Sequence, residues 1–290
     1  MRAYRVAYDG TDYAGFQRQP DVETVEDALF DALRALEVLE PGERKPAGYA
    51  AAGRTDAGVS AVAQTIAFEA PDWLTPRALN SRLPADVRAW ASVDVPEGFH
   101  ATHHATRRTY TYHLYAPRDG GFVPGIESER IAENDRTRLD DSRFRDALET
   151  LSGPHDFANL TPDDDGTERA PTLEATRDGP FLVVRVSAGG FARELVRQLI
   201  AVARDVATGV LSYEGLERAL DPEPLPGHEG IAPAPPEPLV LSAVEYGDHD
   251  LEFEIDERAA TGARATLERR RIERLVGARV AEQIRDGIDE

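Results

Sequence analysis

The 290-residue chain has no cysteine, one methionine and a single lysine, Lys45. Without cysteine there can be no disulfide framework, no thiolate nucleophile and no Cys-ligated zinc or iron–sulfur centre. No apolar run approaches the roughly 18 residues that a membrane span needs. The N-terminal residues Met1-Arg2-Ala3-Tyr4 lead into an alternating pattern rather than an apolar signal core, so a soluble, cytoplasmic protein without a membrane partner is expected. The sequence also lacks a glycine-rich phosphate loop and a cluster of metal-ligating residues; no nucleotide, redox or metal cofactor is expected.

Acid is abundant. Asp plus Glu number 53 against 33 Lys plus Arg, giving a formal net charge of −20. Excess carboxylate with almost no lysine suits a protein that stays hydrated at high salt, which points to a halophilic source. Net charge speaks to solubility and partners and leaves the fold open.

The acid is unevenly spread. Residues 98–118 hold three arginines, four of the seven histidines, three tyrosines and no carboxylate. Residues 181–204 hold four arginines and one acid, Glu194, and residues 44–68 hold three basic residues and one acid, Asp56. Arg193, Arg197 and Arg204 are spaced to share one helix face. Arginines on a helix and tyrosines on a strand make a surface suited to phosphates and unstacked bases. Any one such segment is more often a solvated face. Three in so acidic a chain favour a polyanion cleft.

Periodicity gives the organisation. Tyr4, Val6 and Tyr8 alternate as a strand ending at Asp9-Gly10. Thr24 is a predicted N-cap for a helix with Val25, Leu29, Leu33, Leu36 and Leu39 on one face, stopped by Pro41-Gly42. Strands are predicted over 47–52, 64–68, 109–115, 181–187 and 239–246, and helices over 142–151 and 191–206. A proline-rich linker spans 222–238. Strand–helix–strand units on both sides of residue 105, without an even βαβ rhythm, favour an α+β fold with antiparallel sheets. The expected units are 1–105, 106–246 and a tail, 247–290. That tail is first acidic, then amphipathic through Ile272, Val276, Val280 and Ile284, and reads as an appendage outside the catalytic core.

The chemical candidate is Asp56, in Gly53-Arg54-Thr55-Asp56-Ala57-Gly58-Val59. The small residues leave room for a planar substrate to approach the backbone. In an extended segment Arg54 and Asp56 point to the same side, and the guanidinium is expected to lower the Asp56 pKa. Taken alone, an Asp before Ala-Gly is usually a turn residue bonded to its own backbone.

The loop has company. Tyr8 to Gln19 resembles the opening YDG…GWQ.Q segment of the TruA family of tRNA pseudouridine synthases, and Ala52 to Val59 matches that family's AGRTDAGV block residue for residue. Asn80 to Pro84, Phe99-His100-Ala101, Arg108 to Tyr112, His155-Asp156-Phe157, Phe191 to Arg197 and Leu239-Val240-Leu241 resemble later family blocks, in order. Ser60, Phe16, Leu195 and Ala201 stand where many relatives have His, Trp, Met and Gly; Phe16 and Leu195 keep an aromatic ring and side-chain volume.

The resemblance implies an α+β fold of two ferredoxin-like halves whose sheets join around an RNA-binding cleft. It implies a homodimer that isomerises uridine to pseudouridine in the tRNA anticodon stem-loop, at tRNA positions 38 to 40. Asp56 is then the catalytic aspartate, and Arg54 aids base extrusion. Tyr110 stacks on the flipped uracil, Arg197 pairs with Asp56, and Leu239 lines the base pocket. Rival readings are the same chemistry on other uridines, a non-catalytic RNA-binding protein on this fold, and a sugar hydrolase using Asp56 with Asp9.

Overall fold

In the computed structural model, which describes residues 1–118, 138–226, 230–249 and 251–288, Tyr4, Val6 and Tyr8 lie on β1 (Arg2–Tyr8), inside a nine-stranded sheet. The other strands are β2 (Ala50–Ala51), β3 (Ser60–Phe68), β4 (Val87–Asp94), β5 (Arg107–Tyr115), β8 (Thr172–Asp178), β9 (Phe181–Ala188), β10 (Leu239–Glu245) and β11 (Glu254–Ile255). Their order is β11-β4-β1-β3-β10-β5-β9-β8, with β2 paired to β3; β6 (His155–Asp156) and β7 (Glu168–Arg169) form a separate ribbon. Among the described residues every pairing is antiparallel except β3 with β10, where Ser60 faces Val240 and Ala61 faces Leu241. The fold is thus mixed α and β around one large, mostly antiparallel sheet.

The β3–β10 joint is short and gains support from Arg5. Its Nη2 donates to the Val244 carbonyl on β10 at 2.6 Å, and its Nη1 donates to Thr65 Oγ1 on β3 at 2.7 Å. Phe253 covers the guanidinium at 4.2 Å from the ring centroid. Burial lowers the Arg5 pKa, a cost that the carbonyl bonds and the aromatic face offset.

The helices are α1 (Val25–Ala35), α2 (Pro76–Asn80), α3 (Asp141–Leu151), α4 (Leu195–Thr208), α5 (Tyr213–Ala219) and α6 (Glu257–Gly287). Thr24 caps α1 as predicted, accepting from Asp27 N at 3.2 Å, an interaction worth about 1 kcal/mol. The helix ends at Ala35 rather than near Leu39, because Glu37 adopts a left-handed φ of 58°. Leu39 is still buried, carried inward by the turn.

Two of the longer strands escaped the sequence pattern for different reasons. On β4 the buried positions after Val87 are the alanines 89 and 91, which give a weak alternation signal. β8 is the sheet edge, with Leu173 inside and polar residues through most of the rest.

The amphipathic tail is the long helix α6. Asp256 caps it, accepting from Ala259 N at 3.0 Å, and Ala259, Ala260 and Ala263 are the residues it buries. Its packing neighbours are β4 and α2. Ile272, Val276, Val280 and Ile284, the predicted apolar face, are turned to solvent. Asp250 of the acidic run and residues 227–229 of the proline-rich linker lie outside the described residues. No described helix is long and apolar enough to cross a membrane.

Candidate active site

The Gly53–Gly58 loop leaves the short strand β2 and enters β3. Several buried groups fix its backbone. Gln64, fully buried on β3, donates Nε2 to the Gly53 carbonyl at 2.8 Å. Tyr8 on β1 shares a 2.8 Å bond with Thr55 Oγ1. Phe16 N donates to the Thr55 carbonyl at 3.0 Å, and Gly58 N donates to the Tyr13 carbonyl at 3.1 Å. The turn after β1 therefore backs the loop. A Cβ placed on Gly10 would sit 2.0 Å from the Val59 carbonyl oxygen, so only glycine fits that close approach. Gly10→Ala is expected to cost about 1–3 kcal/mol by overpacking and to lower turnover by displacing the loop. Denaturant midpoints alongside the turnover rate check this.

Asp56 meets Arg197 across the sheet joint, with Arg197 Nη1 3.5 Å from Asp56 Oδ2. The Arg197 side chain is 13% exposed and that of Asp56 26%, so the pair is shielded but reachable. Arg197 lies on α4 and is anchored at both ends: its Nε donates to the Ala234 carbonyl at 2.7 Å, and its own carbonyl accepts from Ala234 N at 3.1 Å. The proline-rich segment is thus part of the site. A Cβ on Gly58 would lie 2.9 Å from Pro236 Cγ, so this segment also lies over the Asp56 loop.

Burial raises the Asp56 pKa, Arg197 opposes that rise, and Glu194 adds to it. The expected lowering by Arg54 is corrected here: burial outweighs the cations, and the cations acting on Asp56 are Arg197 and Arg193. Arg54 itself is exposed at the loop's outer side. Glu194, the one acid of the basic stretch 181–204, precedes α4 with φ 62°, a left-handed backbone unusual for a residue with a side chain. That geometry puts a second carboxylate in the field of the first, a kind of backbone outlier that gathers at functional sites.

Tyr110 on β5 is buried, 5.4 Å from the Phe191 ring in an edge-on contact. A Cβ on Gly53 would lie 3.8 Å from its hydroxyl. Burial first, and the Asp56 charge second, push the phenol up to about 12. Leu239 is buried at the start of β10 opposite Tyr112, while Leu241 faces Tyr110, so both leucines lie on the sheet face of the two tyrosines.

The single-face arginine stripe is not observed. Arg193 precedes the helix and pairs with Asp163 at 3.2 Å. Arg204 is only 5% exposed and bonded to Asp205 at 2.8 Å. The amphipathic spacing was real, but α4 is enclosed on most sides, and only Arg197 of the three reaches Asp56. Arg108, part of the basic tyrosine strand, is likewise internal. Its guanidinium donates to the carbonyls of Ala52 at 2.8 Å, Gly189 at 2.5 Å and Thr102 at 2.6 Å. One side chain thereby ties the segment before the Asp56 loop to the segment before α4.

Asp9 is held by Arg270 and Arg274 of α6, at 2.9 and 2.6 Å, so it is not free to serve as the second carboxylate that the sugar-hydrolase reading needs.

A carboxylate met by an arginine from across the joint, beside a buried tyrosine, defines a site for chemistry led by one carboxylate. A family model described as tRNA pseudouridine synthase matches residues 147–247, the stretch that carries Arg197 and Leu239. Over the full chain, tRNA pseudouridine synthase A of Haloarcula marismortui is 54% identical, covering 99% of this chain and all of the relative. The enzyme of that name from Natronomonas pharaonis is 56% identical, covering 97% of each chain, and that from Methanosarcina acetivorans is 35% identical, again over 97% of each. The chain belongs to the tRNA pseudouridine synthase A family. Haloarcula and Natronomonas are halophilic archaea, in keeping with the acid-rich, lysine-poor composition.

Proposed function

We propose that this chain isomerises uridine to pseudouridine in the tRNA anticodon stem-loop, at tRNA positions 38 to 40, with Asp56 as the group that acts on the nucleoside. The observation that carries the reading is the Asp56–Arg197 pair, built from a loop and a helix on opposite sides of the β3–β10 joint. The reaction breaks the N1–C1′ bond, turns the base and joins C5 to C1′; the C5 proton leaves, and N1 takes up a proton in its place. Asp56 supplies the negative group at the ribose or the base. Arg197 holds its carboxylate form against a burial that disfavours it.

The target uridine leaves the stack, which costs a few kcal/mol, and stacking against Tyr110 offsets part of that. Arg54, exposed beside the loop, meets the extruded strand, and Leu239 borders the base. In this reading residues 1–105 and 106–246 are two ferredoxin-like units closing on RNA from either side, and two copies of the cytoplasmic chain act together. Homologues named as tRNA enzymes support RNA as the substrate.

The test is positional. An anticodon stem-loop transcript and a T-arm transcript are each incubated with the protein in molar KCl, and pseudouridine is mapped. Modification confined to positions 38 to 40 is expected. Modification of the T arm alone would transfer the reading to other uridines, and modification of neither would remove it.

A further inference from the structure

Helix α6 does more than pack its alanines on β4. Two turns further on, Arg270 Nη1 and Arg274 Nη2 both donate to Asp9 Oδ2, at 2.9 and 2.6 Å. Thr11 fills the other oxygen, donating N and Oγ1 to Asp9 Oδ1 at 3.2 and 2.7 Å. Arg270 Nη2 extends to Asp12 at 3.2 Å and to Asp86 Oδ2 at 3.4 Å, and Asp86 Oδ1 accepts from the Tyr13 hydroxyl at 2.9 Å. Three carboxylates thus converge on two guanidiniums. Asp9 is 6% exposed, so this pairing is screened by salt far less than a surface pair. Burial pushes the Asp9 carboxyl up, but the Thr11 hydroxyl and the two arginines outweigh it and hold the group at about 2.

The turn clamped in this way is the one that backs the Asp56 loop. Asp9 N donates to the Asp86 carbonyl at 3.0 Å, and Gly10 N donates to Ser60 Oγ at 3.0 Å. Tyr13, bonded to Asp86, accepts from Gly58 N, and Phe16 N binds Thr55. Any shift of residues 9–16 is therefore delivered directly to residues 55–60. If the arginines were absent, Asp9, Asp12 and Asp86 would repel one another at the base of that turn.

We propose that Arg270 and Arg274 are positioning residues for the reaction: by neutralising Asp9, Asp12 and Asp86 they hold the turn after β1 in the register that aims Asp56 at Arg197. The inference rests on Asp56 as the reacting carboxylate and gives the C-terminal helix a part in catalysis without contact with substrate. It also suits an acidic protein working in high salt, because the carboxylate that both arginines share, Asp9, is buried.

The test uses the full chain in molar KCl, with tritium release from C5-labelled uridine in tRNA giving kcat and KM, and with Tm measured in parallel. Arg270→Ala/Arg274→Ala is expected to lose about 10- to 100-fold in kcat, the scale of a small displacement of a reacting group, with KM nearly unchanged. Adding Asp9→Asn to that double variant is expected to recover part of the lost kcat, because it removes one of the repelling charges. Mere anchoring of α6 predicts the opposite, since Asp9→Asn cannot restore an anchor. Full kcat in the double variant, or a loss that Asp9→Asn leaves unrelieved, overturns the proposal. If the double variant fails to fold, Arg274→Ala and Arg274→Lys decide: the lysine variant is expected near wild type and the alanine variant well below it, and equal kcat for the two is the contrary result. Failure of wild type to release tritium, or release by Asp56→Asn, counts against the assignment of Asp56 instead.

Discussion

Asp56→Ala is expected to abolish tritium release from C5-labelled uridine in tRNA, with a loss on the order of 10⁴-fold or more, the scale seen when a reacting side chain is removed. Neither Glu194 nor Asp9 is placed to take over. Glu194 sits in the field of Asp56 but lies beside the helix start rather than in the loop, and Asp9 is consumed by Arg270 and Arg274. The fold should survive the change. Asp56 has a raised pKa in the folded chain, so its contribution to stability is present in acid, below the unfolded value of about 3.9, and is lost as pH rises through the folded value. At neutral pH the ionised group is therefore a burden on stability, but removing it leaves Arg197 without its carboxylate partner, so Asp56→Ala should leave Tm nearly unchanged. Arg197 keeps its bond to the Ala234 carbonyl in that variant. Turnover within about 100-fold of wild type would show that another group does the chemistry, and a large fall in Tm would show that Asp56 is a structural carboxylate.

The sequence exposed the site unevenly, for physical reasons. Asp56 and Tyr110 were legible because a small-residue loop and an alternating strand are local patterns, and the family blocks fixed their order. Arg197 was legible as a helix residue, but its neighbours on that spacing were misread, since periodicity cannot tell a helix with one wet face from one enclosed on most sides. Arg108 looked like part of an RNA-facing strand and is instead an internal tie among three carbonyls; residue type alone does not reveal whether a guanidinium will meet phosphate or backbone. The proline-rich stretch read as a linker because composition marks absence of regular structure, whereas Ala234 and Pro236 act through position. The clamp of α6 on Asp9 joins residues 261 and 265 positions apart, a separation that no local pattern encodes.

Arg197→Ala is expected to be the most damaging change outside Asp56 itself, and in a way that separates two roles for the guanidinium. Removing it leaves Asp56 buried with Glu194 still raising its pKa and Arg193, itself engaged by Asp163, as the remaining cation among its main influences. The carboxyl pKa therefore climbs further, so the acid limb of the kcat/KM profile should move to higher pH. Loss of one partner from a buried pair costs about 3–5 kcal/mol; the 3.5 Å separation and partial exposure of Asp56 reduce this to roughly 1–3 kcal/mol on the same basis. The lost side-chain bond to Ala234 also loosens the segment whose Pro236 lies over Gly58, leaving it only the backbone bond from Ala234 N, so both the charge and the backing of the loop suffer. A fall in turnover of about 10²- to 10³-fold at neutral pH is expected, comparable to loss of an electrostatic partner in other sites. Arg197→Lys tests the geometry. Lysine restores a charge but cannot hold Asp56 and the Ala234 carbonyl together with one planar group, so it should return the acid limb toward wild type while leaving much of the rate deficit. If the rate falls in Arg197→Ala and the acid limb stays where it was, Arg197 acts on the RNA instead of on Asp56, and the pair across the β3–β10 joint serves the substrate rather than the carboxylate.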